Sequence, residues 1–338
     1  MAIKSMKVLN IMAFHQKELD LQFGDGINIL IGENGMGKTT LLKMIYAALQ
    51  YSIENQTSGK ELIHFFSNNL RDFSQMKYPG KEKDTCYYEI SDGQHFFKDY
   101  LTKKNGIVSE GWKGLNIQSV FIPTTEMLSH SKGFLAMNQK YNMPFDETQI
   151  DIIVNASLPE TKKVSQSCEI ILKEIKQTKE TMESAPLDRQ EIIVQEDDTF
   201  YIVKNDGRKI DFSLEAEGMR KLGLLWKLIR NGLLEKNSVL LWDEPEANLN
   251  PELYPLVANI LLALQKNGVQ IFLATHSYNF AKYLEIRRTE KEQVLIHNLY
   301  RNDLGKEIMS VSAYKMEDLE PNHIMMADNQ LLDEVYNM

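Results

Sequence analysis

Hydrophobic and polar positions alternate, or run unbroken, in three short stretches at the start of the chain. Met6–Phe14, Glu18–Phe23 and Ile27–Ile31 read as strands, with Gly24-Asp25-Gly26 as the turn between the last two. From Lys38 to Gln50 the period lengthens, and Leu41, Leu42, Ile45, Ala48 and Leu49 fall on one face of a helix. Residues 85–91 and 95–101 read as two strands joined at Asp92-Gly93, and Gln118–Ile122 as a short buried strand. From Pro123 to about Leu187 the pattern becomes helical and more polar. Residues 123–187 therefore read as a helical insertion, or lobe, within a single unit spanning 1–338. A hairpin of Glu191–Gln195 and Thr199–Val203 follows, then an apolar helix from Gly218 to Leu234. Val239–Trp242 and Gln270–Thr275 are unbroken apolar runs, as expected of strands covered on both faces. Between them Asn250 is placed to cap a helix that has Pro251 at its first position and ends at Asn267-Gly268. Val294–Tyr300 and a last helix near Asn329–Tyr336 complete the pattern. The alternation of strands and helices implies an α/β fold.

Composition narrows the function classes. With 338 residues, 43% of them hydrophobic, the chain can bury a large core and is not disordered. No apolar run approaches the roughly 18 residues that span a bilayer, so no membrane insertion is expected. Residues 1–10 lack a signal-peptide layout, because Met6-Lys7-Val8-Leu9 already reads as a strand. The two cysteines, Cys86 and Cys168, lie far apart without CxxC spacing, which fits a reducing cytoplasm rather than a disulfide or zinc scaffold. The net charge of −9 means that nucleic-acid binding would need a local basic patch. One candidate is the lysine-rich stretch Glu160–Met182, with Lys162, Lys163, Lys173, Lys176 and Lys179. It reads either as a solvated helix face or as a nucleic-acid or partner contact.

Chemistry enters with the run Gly32-Glu33-Asn34-Gly35-Met36-Gly37-Lys38-Thr39, followed by Thr40, which fulfils G-x-x-x-x-G-K-[ST]. Such a loop turns backbone N–H groups inward around phosphates, so glycines stand where a side chain would block the approach. The helix after it points its positive end at the same phosphates. Lys38 is placed to reach the β- and γ-phosphates of ATP, and Thr39 to offer a hydroxyl to Mg2+. About 200 residues downstream, Ser238-Val239-Leu240-Leu241-Trp242 runs into Asp243-Glu244-Pro245. A buried strand there delivers Asp243 to the sheet edge, where it can hold Mg2+, while Glu244 faces the other way and can polarise a water.

With these motifs the chain resembles the ABC-type ATPases. Trp242-Asp243-Glu244-Pro245-Glu246-Ala247-Asn248-Leu249-Asn250-Pro251 is similar to their Walker B and D-loop run, and Ile271-Phe272-Leu273-Ala274-Thr275-His276-Ser277 to their switch strand. The resemblance implies that His276 senses the γ-phosphate and that the fold is an α/β, ABC-type P-loop ATPase head: a mixed central sheet with flanking helices, an antiparallel β portion and a helical insertion. It is greatest to soluble members: SMC and RecF-like repair ATPases, the OLD family, and ATPases of antiphage systems such as Septu. Two motifs depart from the family. In place of its LSGGQ-like signature stands Glu215-Ala216-Glu217-Gly218-Met219-Arg220-Lys221, in which Gly218 would supply backbone donors to ATP on a second copy. Ala216 replaces the serine, and Glu217 adds a negative charge that Arg220 and Lys221 could offset. In place of the Q-loop glutamine, Val120-Phe121-Ile122-Pro123-Thr124-Thr125-Glu126 offers Glu126 as the Mg2+ contact, unless that residue is an ordinary helix-start carboxylate. No long heptad run lies between Thr39 and the signature-like segment, which excludes the long coiled coils of SMC chains. The resemblance implies a homodimer closed around ATP and a separate effector protein, in antiphage defence. A DNA repair or DNA-end-sensing ATPase and a transporter's nucleotide-binding subunit are the alternatives.

Overall fold

The computed structural model describes residues 2–15, 17–54, 61–70, 73–80, 85–101, 106–141, 143–161, 164–176, 192–204, 207–302 and 307–337. In chain order the strands are β1 (Ser5–Leu9), β2 (Leu19–Gln22), β3 (Ile27–Gly32), β4 (Tyr87–Ser91), β5 (Phe96–Tyr100), β6 (Gly106–Glu110), β7 (Ser119–Ile122), β8 (Ile193–Glu196), β9 (Thr199–Val203), β10 (Lys209–Asp211), β11 (Val239–Asp243), β12 (Gln270–Ala274), β13 (Val294–Arg301) and β14 (Ile308–Ala313). The helices are α1 (Lys38–Tyr51), α2 (Phe134–Tyr141), α3 (Glu147–Ser157), α4 (Gln166–Lys176), α5 (Glu217–Arg230), α6 (Tyr254–Lys266), α7 (Tyr278–Arg287) and α8 (His323–Tyr336).

The central sheet has the order β14-β13-β3-β12-β11-β7. All its pairs are parallel except β13–β14. Its two faces feed two separate cores. Ile27, Ile29, Ile31, Leu240, Trp242, Ile271 and Leu273 join one core with the lobe, α5 and α6. Leu30, Val239, Leu241, Phe272 and Ala274 point the opposite way, into a core with α1 and an antiparallel sheet. This double coverage explains why β11 and β12 read as unbroken apolar runs. The antiparallel sheet has the order β2-β1-β4-β5-β6, and β10-β9-β8 forms a small third sheet. Within the lobe, Asp146 caps α3 at Thr148 N and, with Gln149, completes a capping box. Lys43 pairs with Asp146 at 2.6 Å, and the Tyr46 hydroxyl donates to Asp151 at 2.8 Å, which fastens the lobe to α1.

The structure revises several boundaries. The first strand ends at Leu9 instead of Phe14, because Asn10 (φ 57°) and Met12 (φ 48°) take left-handed backbone and turn the chain. The signature-like helix stops at Arg230, ahead of Gly232 at φ 78°. Asn250 does cap its element, accepting from Glu252 N, but Pro251–Leu253 is a 3-10 turn and the α-helix begins at Tyr254. The last helix starts at His323, where the Asn322 side chain accepts from Met325 N. Residues 177–187 of the expected insertion, and Lys162, Lys163 and Lys179 of the lysine-rich stretch, lie outside the described residues.

Candidate nucleotide site

The parallel register aligns the carboxyl ends of three strands: Asp243 lies opposite Ala274, and Ala274 opposite Leu30. Loops leaving such ends face one crevice, the usual place for a ligand in an open α/β sheet. The phosphate loop leaves β3 and enters α1. Gly32 (φ 142°) and Gly37 (φ 81°) are required twice over, by backbone angle and by space. A Cβ at Gly32 would lie 2.3 Å from the Leu299 carbonyl, and one at Gly37 would lie 2.5 Å from the Phe14 ring. Gly35 (φ 79°) has open space around it and is required by its angle alone. Gly37 caps α1 without a side chain, so the first N–H groups of the helix keep their capacity to bind an anion.

Lys38 is not solvent-facing, as a phosphate-binding role would suggest, but 5% exposed. Its ammonium donates to the carbonyls of Gly32 (2.7 Å) and Glu33 (2.9 Å) and lies 3.2 Å from His276 Nδ1. Burial pushes its pKa down to about 8, against the opposing pull of Glu244, Asp243, Glu246 and Glu33. Because an ammonium can only donate, Nδ1 of His276 accepts, and Nε2–H is left to donate to Glu244 Oε1 at 2.9 Å. A continuous chain Lys38–His276–Glu244 results, joining the phosphate loop to two loops more than 200 residues downstream.

Thr39 Oγ1 donates to both oxygens of Asp243, at 3.0 and 2.9 Å. Thr124 Oγ1 donates to Asp243 Oδ2 at 3.0 Å. Burial raises the Asp243 pKa, and these two hydroxyl bonds oppose the rise. Glu244, directly after the strand, takes φ 49°, and this left-handed turn separates its carboxylate from that of Asp243. One carboxylate and two hydroxyls suit Mg2+, which takes few protein oxygens and keeps most of its water. Among the described residues no group of three or more His, Cys, Asp or Glu could hold a metal by itself.

Glu126 is not part of this cluster. Its carboxylate accepts from Leu128 N (2.5 Å), Ser129 N (3.2 Å) and Ser129 Oγ, and pairs with Arg220 at 2.9 Å. It is the helix-start carboxylate, and Thr124, two residues earlier, is the group that reaches Asp243. Gly218 lies in the first turn of α5, after Ala216 at the N-cap with no side-chain bond. The charge of Glu217 is engaged within the chain by Asn248 Nδ2 (3.3 Å) and Arg220 (3.8 Å). Lys221 does not face Glu217's surroundings in solvent: it is 6% exposed and donates to the carbonyls of Pro245 (3.0 Å) and Ala247.

Glu33 and Asn34, the exposed tip of the loop, lie at the mouth of the crevice. There His323 of α8 comes within 3.7 Å of Glu33. A cavity of about 490 Å3 opens between Glu33, His276, Asn279, Ile324 and Leu331. Met36 is buried in the core under the loop. Thr40, on the first turn of α1, meets Met12 Sδ at 3.9 Å. Sequence spacing assigns no role to Thr124 or Glu246, and to Lys221 only the offset of Glu217's charge. Thr124 stands in a Pro-Thr-Thr run directly after a buried strand, and Glu246 is the third carboxylate of Asp-Glu-Pro-Glu, so both were visible as polar groups at strand ends.

The comparisons fit this geometry. The family model described as "AAA domain, putative AbiEii toxin, Type IV TA system" matches residues 138–281. A DNA replication and repair protein RecF of Clostridium kluyveri is 32% identical over 122 residues, which is 36% of this chain and 28% of that protein. The chain thus matches only about a quarter of that relative's length. Among solved structures, an SMC head domain from Thermotoga maritima aligns over 93% of this chain and 99% of its own, with TM-score 0.50 and 16% identity. An Smc head bound to the C-winged helix domain of ScpA aligns over 94% of this chain and 100% of its own, with TM-score 0.59 and 12% identity. The fold is that of an SMC head domain. No helix among the described residues is long and apolar enough to cross a membrane.

Proposed function

We propose that this chain binds and hydrolyses ATP with Mg2+ and closes on a second copy of itself around the nucleotide. The observation that carries the reading is the convergence of Lys38, Thr39, Asp243, Glu244 and His276 at the carboxyl ends of β3, β11 and β12. Lys38 and the N–H groups opening α1 would take the phosphates. Thr39 and Asp243 would hold Mg2+, which neutralises charge on the phosphate oxygens when bound. Glu244 would take a proton from the attacking water, oriented by His276 Nε2–H, and the loops from β11 and β12 would place that water on the γ-phosphate side. Gly218 at the bare N-terminus of α5 would cap the nucleotide held by the second copy.

The setting we propose is control of a separate effector protein in antiphage defence, in the cytoplasm. The match to a family described by a toxin of a toxin–antitoxin system supports an effector-linked role. A second reading, a DNA repair or DNA-end-sensing ATPase, is favoured by the similarity to RecF. Stimulation of hydrolysis by DNA, falling steeply with salt, would select it.

The test is Glu244→Gln, which keeps the shape and removes the base. ATP should still bind, and hydrolysis should fall at least ~100-fold, the ordinary share of a general base. Hydrolysis at the wild-type rate would remove Glu244 from this role, and failure of the wild-type chain to bind ATP would refute the reading as a whole.

A further inference from the structure

Glu246 is half-buried, and its two carboxylate oxygens have very unequal surroundings. Its Oε1 accepts from the Thr275 hydroxyl, from His276 N at 3.1 Å and from Ser277 N at 3.3 Å. Its Oε2 is buried with no hydrogen-bond partner. A helix cap does not explain this arrangement. Ser277 already caps α7, accepting from Phe280 N at 3.1 Å, and the donors taken by Glu246 lie ahead of the helix. A carboxylate oxygen buried and unmet costs stability, so the same loop would be better served, for folding alone, by a smaller neutral acceptor. What the arrangement does fix is the backbone on both sides of the His276 ring.

The loop carrying Glu246 is itself held from α5. Lys221 Nζ donates to the carbonyls of Pro245 and Ala247, the two neighbours of Glu246. Lys221 lies three residues after Gly218 on the same helix, so any tilt of the signature-like end reaches the Glu246 loop through two hydrogen bonds to backbone.

We propose that Glu246 is a positioning residue that holds His276 in register with Lys38 and Glu244, and that Lys221 links this setting to the signature-like start of α5. The proposal rests on the hydrolytic reading above and adds a route by which engagement of Gly218 with a second copy's nucleotide alters hydrolysis in the chain's own site. Glu246 acts through the switch backbone, by its bonds to Thr275, His276 and Ser277.

The experiment compares Glu246→Ala, Glu246→Gln, Lys221→Met and His276→Ala, alone and with Glu246→Ala and His276→Ala combined, in the full chain. Glu246→Ala should lower kcat on the order of 10²-fold, the cost of misplacing a catalytic group by about 1 Å, with ATP affinity little changed. Glu246→Gln keeps a carbonyl oxygen for the same donors and should recover most of the rate. Lys221→Met should lower kcat without loss of ATP affinity. In the His276→Ala background, Glu246→Ala should cost nothing further. Independent, multiplicative losses in the double variant, or equal damage by Gln and Ala, would overturn the proposal while leaving the hydrolytic reading intact. The His276 ring resonance by NMR gives a readout free of turnover: it should move in Glu246→Ala and return in Glu246→Gln. A His276 resonance unmoved in Glu246→Ala would overturn the proposal whatever the hydrolysis rate.

Discussion

The burial of Lys38 should make the proposed ATP binding depend on pH in a window where an ordinary lysine would not respond. In the free chain its pKa is lowered to about 8, chiefly because burial penalises the charged ammonium. Phosphates are best met by the charged form, so nucleotide raises this pKa, and binding takes up a proton wherever the free side chain is neutral. The charged fraction of free Lys38 is then about 0.9 at pH 7 and about 0.1 at pH 9, for a group titrating near 8. Apparent affinity scales with that fraction, so it should weaken roughly 10-fold between pH 7 and pH 9, about 1.4 kcal/mol. At pH 9 about 0.9 proton should be taken up for each nucleotide bound. A lysine at its usual value near 10.4 would give almost no change over the same range. The assay is calorimetric titration with a non-hydrolysable ATP analogue in buffers of different ionisation heat. Lys38→Ala should bind more weakly at pH 7 and lose the pH dependence. A flat affinity from pH 7 to pH 9 with no proton uptake would refute the reasoning, because it would mean that Lys38 stays charged in its carbonyl cage.

Two further outcomes follow from other sites. Asp99, fully buried on β5 with neither oxygen bonded, has its pKa raised by burial to about 7. A raised carboxyl contributes its stability below the unfolded value of about 3.9 and loses it as pH climbs to about 7, so Asp99→Asn should gain on wild type over that range, by up to about 4 kcal/mol. Urea unfolding at pH 4, 6 and 8 checks this, and a difference independent of pH would count against it. Gly218→Asp should abolish ATP-dependent dimerisation of Glu244→Gln in light scattering while leaving ATP binding to each copy nearly intact. An undisturbed ATP-dependent dimer would show that the start of α5 is not the trans cap.

The phosphate loop was legible in the sequence because backbone geometry dictates its glycines: no other residue fits beside the Leu299 carbonyl or the Phe14 ring at those angles. The Asp243-Glu244 strand end was legible because a strand buried on both faces leaves its first polar residues at the sheet edge. The remainder depended on contacts that sequence spacing does not encode. Thr124 and Glu126 are both polar groups just past β7, and only the packing of α5 decides that Arg220 draws Glu126 away while Thr124 faces Asp243. Lys38 reads as a solvent-facing charge until the carbonyls of its own loop fold around it. The partners of Glu246 lie 29 to 31 residues downstream, across a helix and a strand, where periodicity carries no information.

The departures in the signature-like segment bear on how a second copy could be engaged. The negative charge of Glu217 is the obvious objection to a phosphate at the start of α5. Within the chain that charge is already met by Arg220 and Asn248, and Arg220 also pairs with Glu126. Ala216 leaves the N-cap without a side-chain acceptor, so the first N–H groups of α5 have no capping side chain competing for them. The loss of the serine therefore removes one hydroxyl donor but keeps the helix end and its partial positive charge, with Gly218 itself buried in the first turn. A cap built this way relies on backbone and should be weaker than a serine-bearing one. Weak closure is compatible with control by a partner, since whatever binds the closed pair adds its free energy to an equilibrium that ATP alone does not saturate.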